Sequence, residues 1–411
     1  PWQLLSVPGV RPEQADGFAR ALLGAGSGPG DERRTAALVG WLLERAALRG
    51  HTALEASEVR AALAGYAVPD PEAAVRHAVA EGVVLVFQDG VDAGEAAGPG
   101  ARDTEGAEEG AEESSQGGEE HVRLLLGLDR YALAEESLAD GLARLVNSCG
   151  EGADWGPAAA AAPSPSAGEL IRAVAGAGLV AHSGGESARD EPAALITAAK
   201  KLGLRALGTT HSEDGRRRLA AAAGDPRAAV TLWDLLSGAA GPGRDADGAL
   251  DLDLLVVLDA PQLGVEAAAM LVESLADGAR LVLSGDPGVL GSAGAGRVFG
   301  DVLAARSCPQ VVSRTPDPGP IGELVSGIGI GELGQVDAPG KEVVIVPVRD
   351  AGEAVHRTVQ LVADSVPRVI GVPVPDTQVI TVGHGGPAGT VALNAALKQR
   401  LNPGPGRFGG F

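Results

Sequence analysis

The chain has 411 residues, of which 45% are hydrophobic, 3% aromatic and 21% charged, and its formal net charge is −21 at pH 7. That length allows two or three domains with separate cores, and the apolar fraction requires most of the chain to fold. The acidic balance argues against indiscriminate nucleic-acid binding, there is no signal peptide or run of membrane-spanning length, and Cys149 and Cys308, without metal-ligand spacing, fit a reducing cytoplasm.

Residues 1–65 read as short helices broken by Gly and Pro. In "LLSVPGVRPEQADGFARALLG" an apolar helix, a "PGVRP" turn and a second helix starting at Pro12 resemble a helix-hairpin-helix. In that motif the backbone N–H groups of the turn, here Gly9, Val10 and Arg11, face a DNA phosphate. Arg11 stands where a second glycine is usual and adds a cation; the same segment can also be a hairpin that only packs.

Residues 66–150 predict a winged-helix-like module. A helical stretch leads to a strand in "GVVLVFQDG", and "VRLLLGLDRYALAEESLADGLARLV" gives a returning strand and a long helix. Between the two strands, residues 89–120 hold eleven acidic residues and one arginine, −10 of the total −21. Such a run predicts a solvated, disordered insertion at the tip of a wing and offers a surface for a protein partner. Residues 151–168, "EGADWGPAAAAAPSPSAG", predict a linker.

Beyond residue 168 the period changes. "GLVAH", "GLRALGTT", "LDLLVVLDA", "ARLVLSGD", "EVVIVPV" and "TQVITVG" are apolar runs separated by amphipathic helices, which predict a parallel sheet covered on both faces. Ligands in such sheets bind at the carboxyl ends of the strands. Three of those ends carry chemistry: Gly184 and Gly185 after the first run, Asp259 after the third and Asp286 after the fourth. A Gly-rich turn admits phosphate to backbone amides, a carboxylate after an apolar strand can hold Mg²⁺ through water, and a further acid can sense the γ-phosphate.

In this order the segments resemble RecD-type superfamily 1 DNA helicases over nearly the whole chain, most specifically in "QVITVGHGGPAGTVALNAALKQRLNP". The resemblance implies a RecA-like P-loop NTPase fold, with motor lobe 1 at 169–338 and the start of lobe 2 at 339–411, the chain stopping before an SH3-like insertion as a fragment of a longer bacterial protein. It implies ATP and Mg²⁺ as cofactors, the latter at Asp259, and ATP-dependent 5′-to-3′ unwinding of single-stranded or forked DNA. It also implies that Arg314 in "VVSRTPDP" reaches the γ-phosphate and that the "TTHSEDGRRR" segment, with Thr209, Thr210, Arg216 and Arg217, touches DNA.

The departures from that pattern are specific. Asp190 and Glu191 stand at the family's Lys and Thr positions, with Arg189 one residue away as a substitute cation; Ala260, Val289 and Thr315 replace the catalytic glutamate and two glutamines. A cation about 4 Å from a phosphate charge is worth about 4 kcal/mol at an effective dielectric near 20, and a carboxylate there opposes binding by about as much. That swing consumes much of the roughly 8 kcal/mol behind micromolar affinity. Alternatively, Asp190, Glu191 and Pro192 cap and start the following helix. Three functions therefore stay open: a DNA-associated RecD-like protein with a degenerate ATP site and no cofactor, an active helicase with unorthodox motifs, and a protein-interaction scaffold. His182, His211 and His384 are too scattered to predict a metal site.

Overall fold

The computed structural model describes residues 1–90, 122–150 and 152–404; the predicted acidic insertion lies almost wholly outside them. Local signals set the helices of the first part. Asp31 accepts a hydrogen bond from the Arg33 amide at the head of α2 (Glu32–Ala47), and Asp70 from the Ala73 amide at the head of α4 (Pro71–Ala80). Pro12 opens α1 (Pro12–Leu23), as predicted, and α3 spans Ala56–Gly65. The helix expected before the "PGVRP" turn is a 3-10 segment of five residues, Trp2–Ser6. Pro8 explains the difference, since it forces Val7 into an extended conformation and ends the helix there.

Three strands follow these helices in space. β1 (Ala53–Glu55), β2 (Leu85–Gly90) and β3 (Val122–Gly127) pair antiparallel in the order β1-β3-β2. The long helix α5 (Asp129–Ser148) then packs along α11 (Val265–Glu273). Arg144 in α5 holds Asp277 at 2.7 Å and the Val272 carbonyl at 2.9 Å.

The second sheet has six parallel strands: β4 (Leu179–Ser183), β5 (Ala206–Thr210), β6 (Ala229–Thr231), β7 (Leu254–Val257), β8 (Arg280–Gly285) and β9 (Gln310–Val312), in the order β6-β5-β7-β8-β4-β9. The four longer runs are where the sequence predicts strands. β6 and β9, three residues each, were not predicted. Alternation sorts the side chains: Leu179, Leu255, Val257, Leu281 and Leu283 enter one core, while Val180, Leu254, Val256 and Val282 enter another. The second core is closed by α7 (Pro165–Ala175), α8 (Asp190–Lys201) and α9 (Glu213–Ala222). The first is closed by α5, α10 (Leu232–Ser237), α11 and α12 (Val298–Ala305), and it runs on without a break into Trp2, Leu38, Val39 and Leu63 of the first part.

The predicted linker is part of this body. It contains α6 (Gly156–Ala160) and the start of α7, and Trp155 and Ala159 are buried in the second core. An Ala- and Pro-rich composition suggested a spacer, but one tryptophan with a surface to bury anchors the segment.

Residues 1–334 form one compact unit, and residues 335–411 belong to a second. The first ends with α13 (Gly319–Gly329). In the second, α14 (Ala351–Gln360) continues into π-helical turns at Leu361–Ile370 and packs on α15 (Thr390–Leu401). The strands expected in "EVVIVPV" and "TQVITVG" do not form among the described residues, and Val344 and Ile380 are 62% and 86% exposed. Strand propensity alone does not make a strand: each run needs a neighbour to satisfy its backbone, and neither has one here. Among the described residues, no helix is long and apolar enough to cross a membrane. The chain is thus a mixed helical and α/β protein whose six-stranded parallel sheet is flanked by helices, consistent with a RecA-like fold.

Candidate functional site

The candidate site lies at the carboxyl edge of the parallel sheet. All five residues of β4 are buried, and after Ser183 the chain turns through Gly184 and Gly185 into a 3-10 turn, Ser187–Arg189, and then α8. The two glycines are required by protein packing. A Cβ on Gly184 would sit 2.7 Å from Ser313 Cβ, and one on Gly185 would run into the carboxylate of Asp317. That carboxylate occupies the loop: Asp317 accepts hydrogen bonds from the backbone N–H groups of Glu186, at 3.0 Å, and Ser187, at 2.6 Å.

Arg189 does not extend into solvent. Its guanidinium makes two hydrogen bonds to Asp259, at 2.6 and 3.2 Å, and both side chains are 23% exposed. The predicted substitute cation and the predicted Mg²⁺ carboxylate therefore neutralise each other. Asp259 adopts left-handed backbone angles, φ 56° and ψ 37°, which Asp tolerates better than most residues because its short polar side chain bonds locally.

Asp190 and Glu191 part company. Neither makes a side-chain cap; the residue in the cap position of α8 is Arg189, which makes no capping hydrogen bond. The cap expected from "DEP" fails because the 3-10 turn leads straight into the helix. Asp190 is exposed beside the positive end of the helix dipole, where a carboxylate is still favourable. Glu191 turns inward and is 2% exposed. Its Oε2 pairs with His182 Nε2 at 2.9 Å, and its Oε1 accepts from Ser313 Oγ and Thr315 Oγ1, both at 2.8 Å, and from Ser164 Oγ at 3.3 Å. Burial opposes the charge on Glu191, but the hydrogen bonds from His182, Ser313 and Thr315 outweigh it and hold the carboxyl below its usual range. An ionised Glu191 only accepts, so His182 donates from Nε2; in the neutral ring Nδ1 then accepts from Ser284 Oγ, 2.8 Å away.

The remaining predicted residues are scattered. Asp286 accepts from the Gly288 amide at 2.8 Å, closing its own turn. The Arg314 side chain is 75% exposed and lies 3.4 Å from Glu169, while its amide donates to Ser166 Oγ. Thr209 and Thr210 are fully buried and present no surface to a nucleic acid. Arg216 and Arg217 pair with Glu213 and Asp214 one helical turn earlier, and Arg218 pairs with Glu186. In the N-terminal turn Gly9 has φ 87° and the Arg11 amide donates to Gln14 Oε1 at 2.9 Å; Gly9 and Arg11 are exposed and Val10 half-buried. Among the described residues, no three His, Cys, Asp or Glu side chains are grouped to hold a metal ion.

Next to the Arg189–Asp259 pair, the end of β5 has a different character. Thr209 Oγ1 and His211 Nε2 are buried without partners. Burial pushes the His211 imidazole below its ordinary range, against the attraction of Asp259. His211 lines a cavity of about 430 Å³ with Trp233, Gln262 and Leu290.

Sequence reasoning missed Asp317, whose partners lie about 130 positions away, and it misjudged the part played by Glu191. A signal for Glu191 was present: it shares a helical face with Leu195, four positions on, among buried residues. No known protein-family model matches the chain.

Proposed function

We propose that this chain is a RecD-like, DNA-associated protein whose ATP site has closed on itself and which has little or no ATPase activity. The observation that carries the reading is the paired hydrogen bonding of Arg189 to Asp259. In a phosphate-loop enzyme the corresponding cation would face phosphate and the carboxylate would face Mg²⁺, and a mutual ion pair withdraws both. Ala260, fully buried after Asp259, supplies no carboxylate to orient a water. The helix, strand, helix, helix, strand, strand order from Glu32 to Gly127 supports a winged-helix-like module in the first part. The exposed turn at Gly9 and Arg11 is compatible with a phosphate contact.

Millimolar Mg-ATP is expected to leave the melting temperature of the protein unchanged, and a clear rise would overturn the closed site. Affinity for a forked oligonucleotide is expected to fall steeply with salt. A protein-contact role is the second reading. It is favoured by the acidic partners of Arg216, Arg217 and Arg218 and by the exposed stripe Ile321, Val325 and Ile328 on α13. Absence of oligonucleotide binding at low salt would select it.

A further inference from the structure

Residues 313–317, "SRTPD", run from the end of β9 past the mouth of the 184–189 loop and grip it at several points. Ser313 and Thr315 donate to the buried Glu191 on the first turn of α8, and the Arg314 amide donates to Ser166 on α7. Asp317 then places its two oxygens on the adjacent amides of Glu186 and Ser187, one oxygen to each. Two successive N–H groups converging on one carboxylate form a seat for an anion, and a charge-assisted bond of this kind is about twice as strong as a neutral one. Both glycines fit the same arrangement, since Ser313 and Asp317 fill the space their side chains would need. An incoming phosphate and the Asp317 carboxylate would compete for the same two amides.

We propose that Asp317 is the built-in occupant of this anion seat, and that residues 313–317 form a latch that keeps phosphate-bearing ligands out of the loop. The proposal rests on the reading of the loop as a closed phosphate site and adds what closes it and what would open it. The latch is held on both sides. Glu191 anchors it from beneath through Ser313 and Thr315, while the loop amides hold Asp317 from above. Arg189 is engaged with Asp259 and leaves the seat to Asp317.

The test uses amide hydrogen exchange together with calorimetric titration of inorganic pyrophosphate, on the full chain. In D317A the Glu186 and Ser187 amides are expected to exchange at least about tenfold faster than in the wild type, and the variant is expected to bind pyrophosphate at least about tenfold more tightly. If D317A does not fold, D317N carries the test: it keeps the shape and one acceptor but loses the charge, so smaller changes of the same sign are expected. Unchanged exchange would overturn the latch. Equal pyrophosphate affinity in wild type and variant would overturn the exclusion of phosphate. Failure of the closed-site reading looks different: Mg-ATP would stabilise the wild type itself, and the latch would fall with that reading, whereas a wild type indifferent to Mg-ATP with unchanged exchange in D317A would overturn the latch alone.

Discussion

Two neighbouring stretches of one sheet edge treat their polar groups in opposite ways. Between β4 and β9, Glu191, His182, Ser313, Thr315 and Asp317 are all satisfied by one another or by backbone amides. At the end of β5, Thr209 Oγ1 and His211 Nε2 are buried and unpaired, and His211 lines a cavity. The first stretch has spent its polar capacity on holding the fold; the second has not. A buried polar atom left alone costs free energy, so the contrast separates a region whose polar groups stabilise the fold from one whose polar groups do not. The Arg189–Asp259 pair stands between them.

The contrast is broken most directly at Glu191. Removing it leaves four donors facing inward with nothing to accept, and E191A is expected to lose about 3–5 kcal/mol of stability in urea denaturation. A loss under about 1 kcal/mol would mean that the β4–β9 side is not the rigid one. Replacing Glu191 with Thr should therefore unsettle the fold as well, since a hydroxyl cannot accept from all four donors.

A smaller effect is expected at the boundary. A double-mutant cycle on R189A and D259A should return a coupling of about 1–2 kcal/mol, between the values for exposed and buried pairs. Coupling near zero would show that Arg189 is free to turn towards a ligand.

The smallest effect is on the open side and depends on pH. His211 binds a proton less readily folded than unfolded, so its contribution to stability is present above its unfolded pKa, about 6.5, and is lost as pH falls through the lower folded value. The wild type should lose stability on acidification below about pH 6.5, and H211Q should show a shallower loss. Parallel pH profiles for the two proteins would place His211 in water.

The readable parts of the sequence were those where one short stretch decides the outcome. Runs such as "LDLLVVLDA" are apolar on both faces because both faces of the sheet are covered, and period alone exposes that. β6 and β9 are too short to show a period, and residues 151–168 hid a buried Trp155 in a composition typical of spacers. The second unit showed the reverse error, since "EVVIVPV" has the side chains of a strand and no neighbour to pair with. At the site, the glycines, Arg189 and Asp259 were visible as chemistry, but their partners were not. The pairing of Arg189 with Asp259 and of Asp317 with the loop depends on strand order, which brings together residues 70 and 130 positions apart.

The uninterrupted core between Trp2 and Phe299 has a consequence for modularity. The described residues before 150 are not a detachable arm, because α5 packs on α11 and reaches β4, helping to close one face of the parallel sheet. A fragment beginning at residue 169 would keep α10, α11 and α12 but lose α5, leaving the β4 end of that face, at Leu179, only partly covered. Cutting the chain at the Ala- and Pro-rich segment would therefore divide one continuous core. The first part is welded to the sheet by a shared core rather than tethered to it.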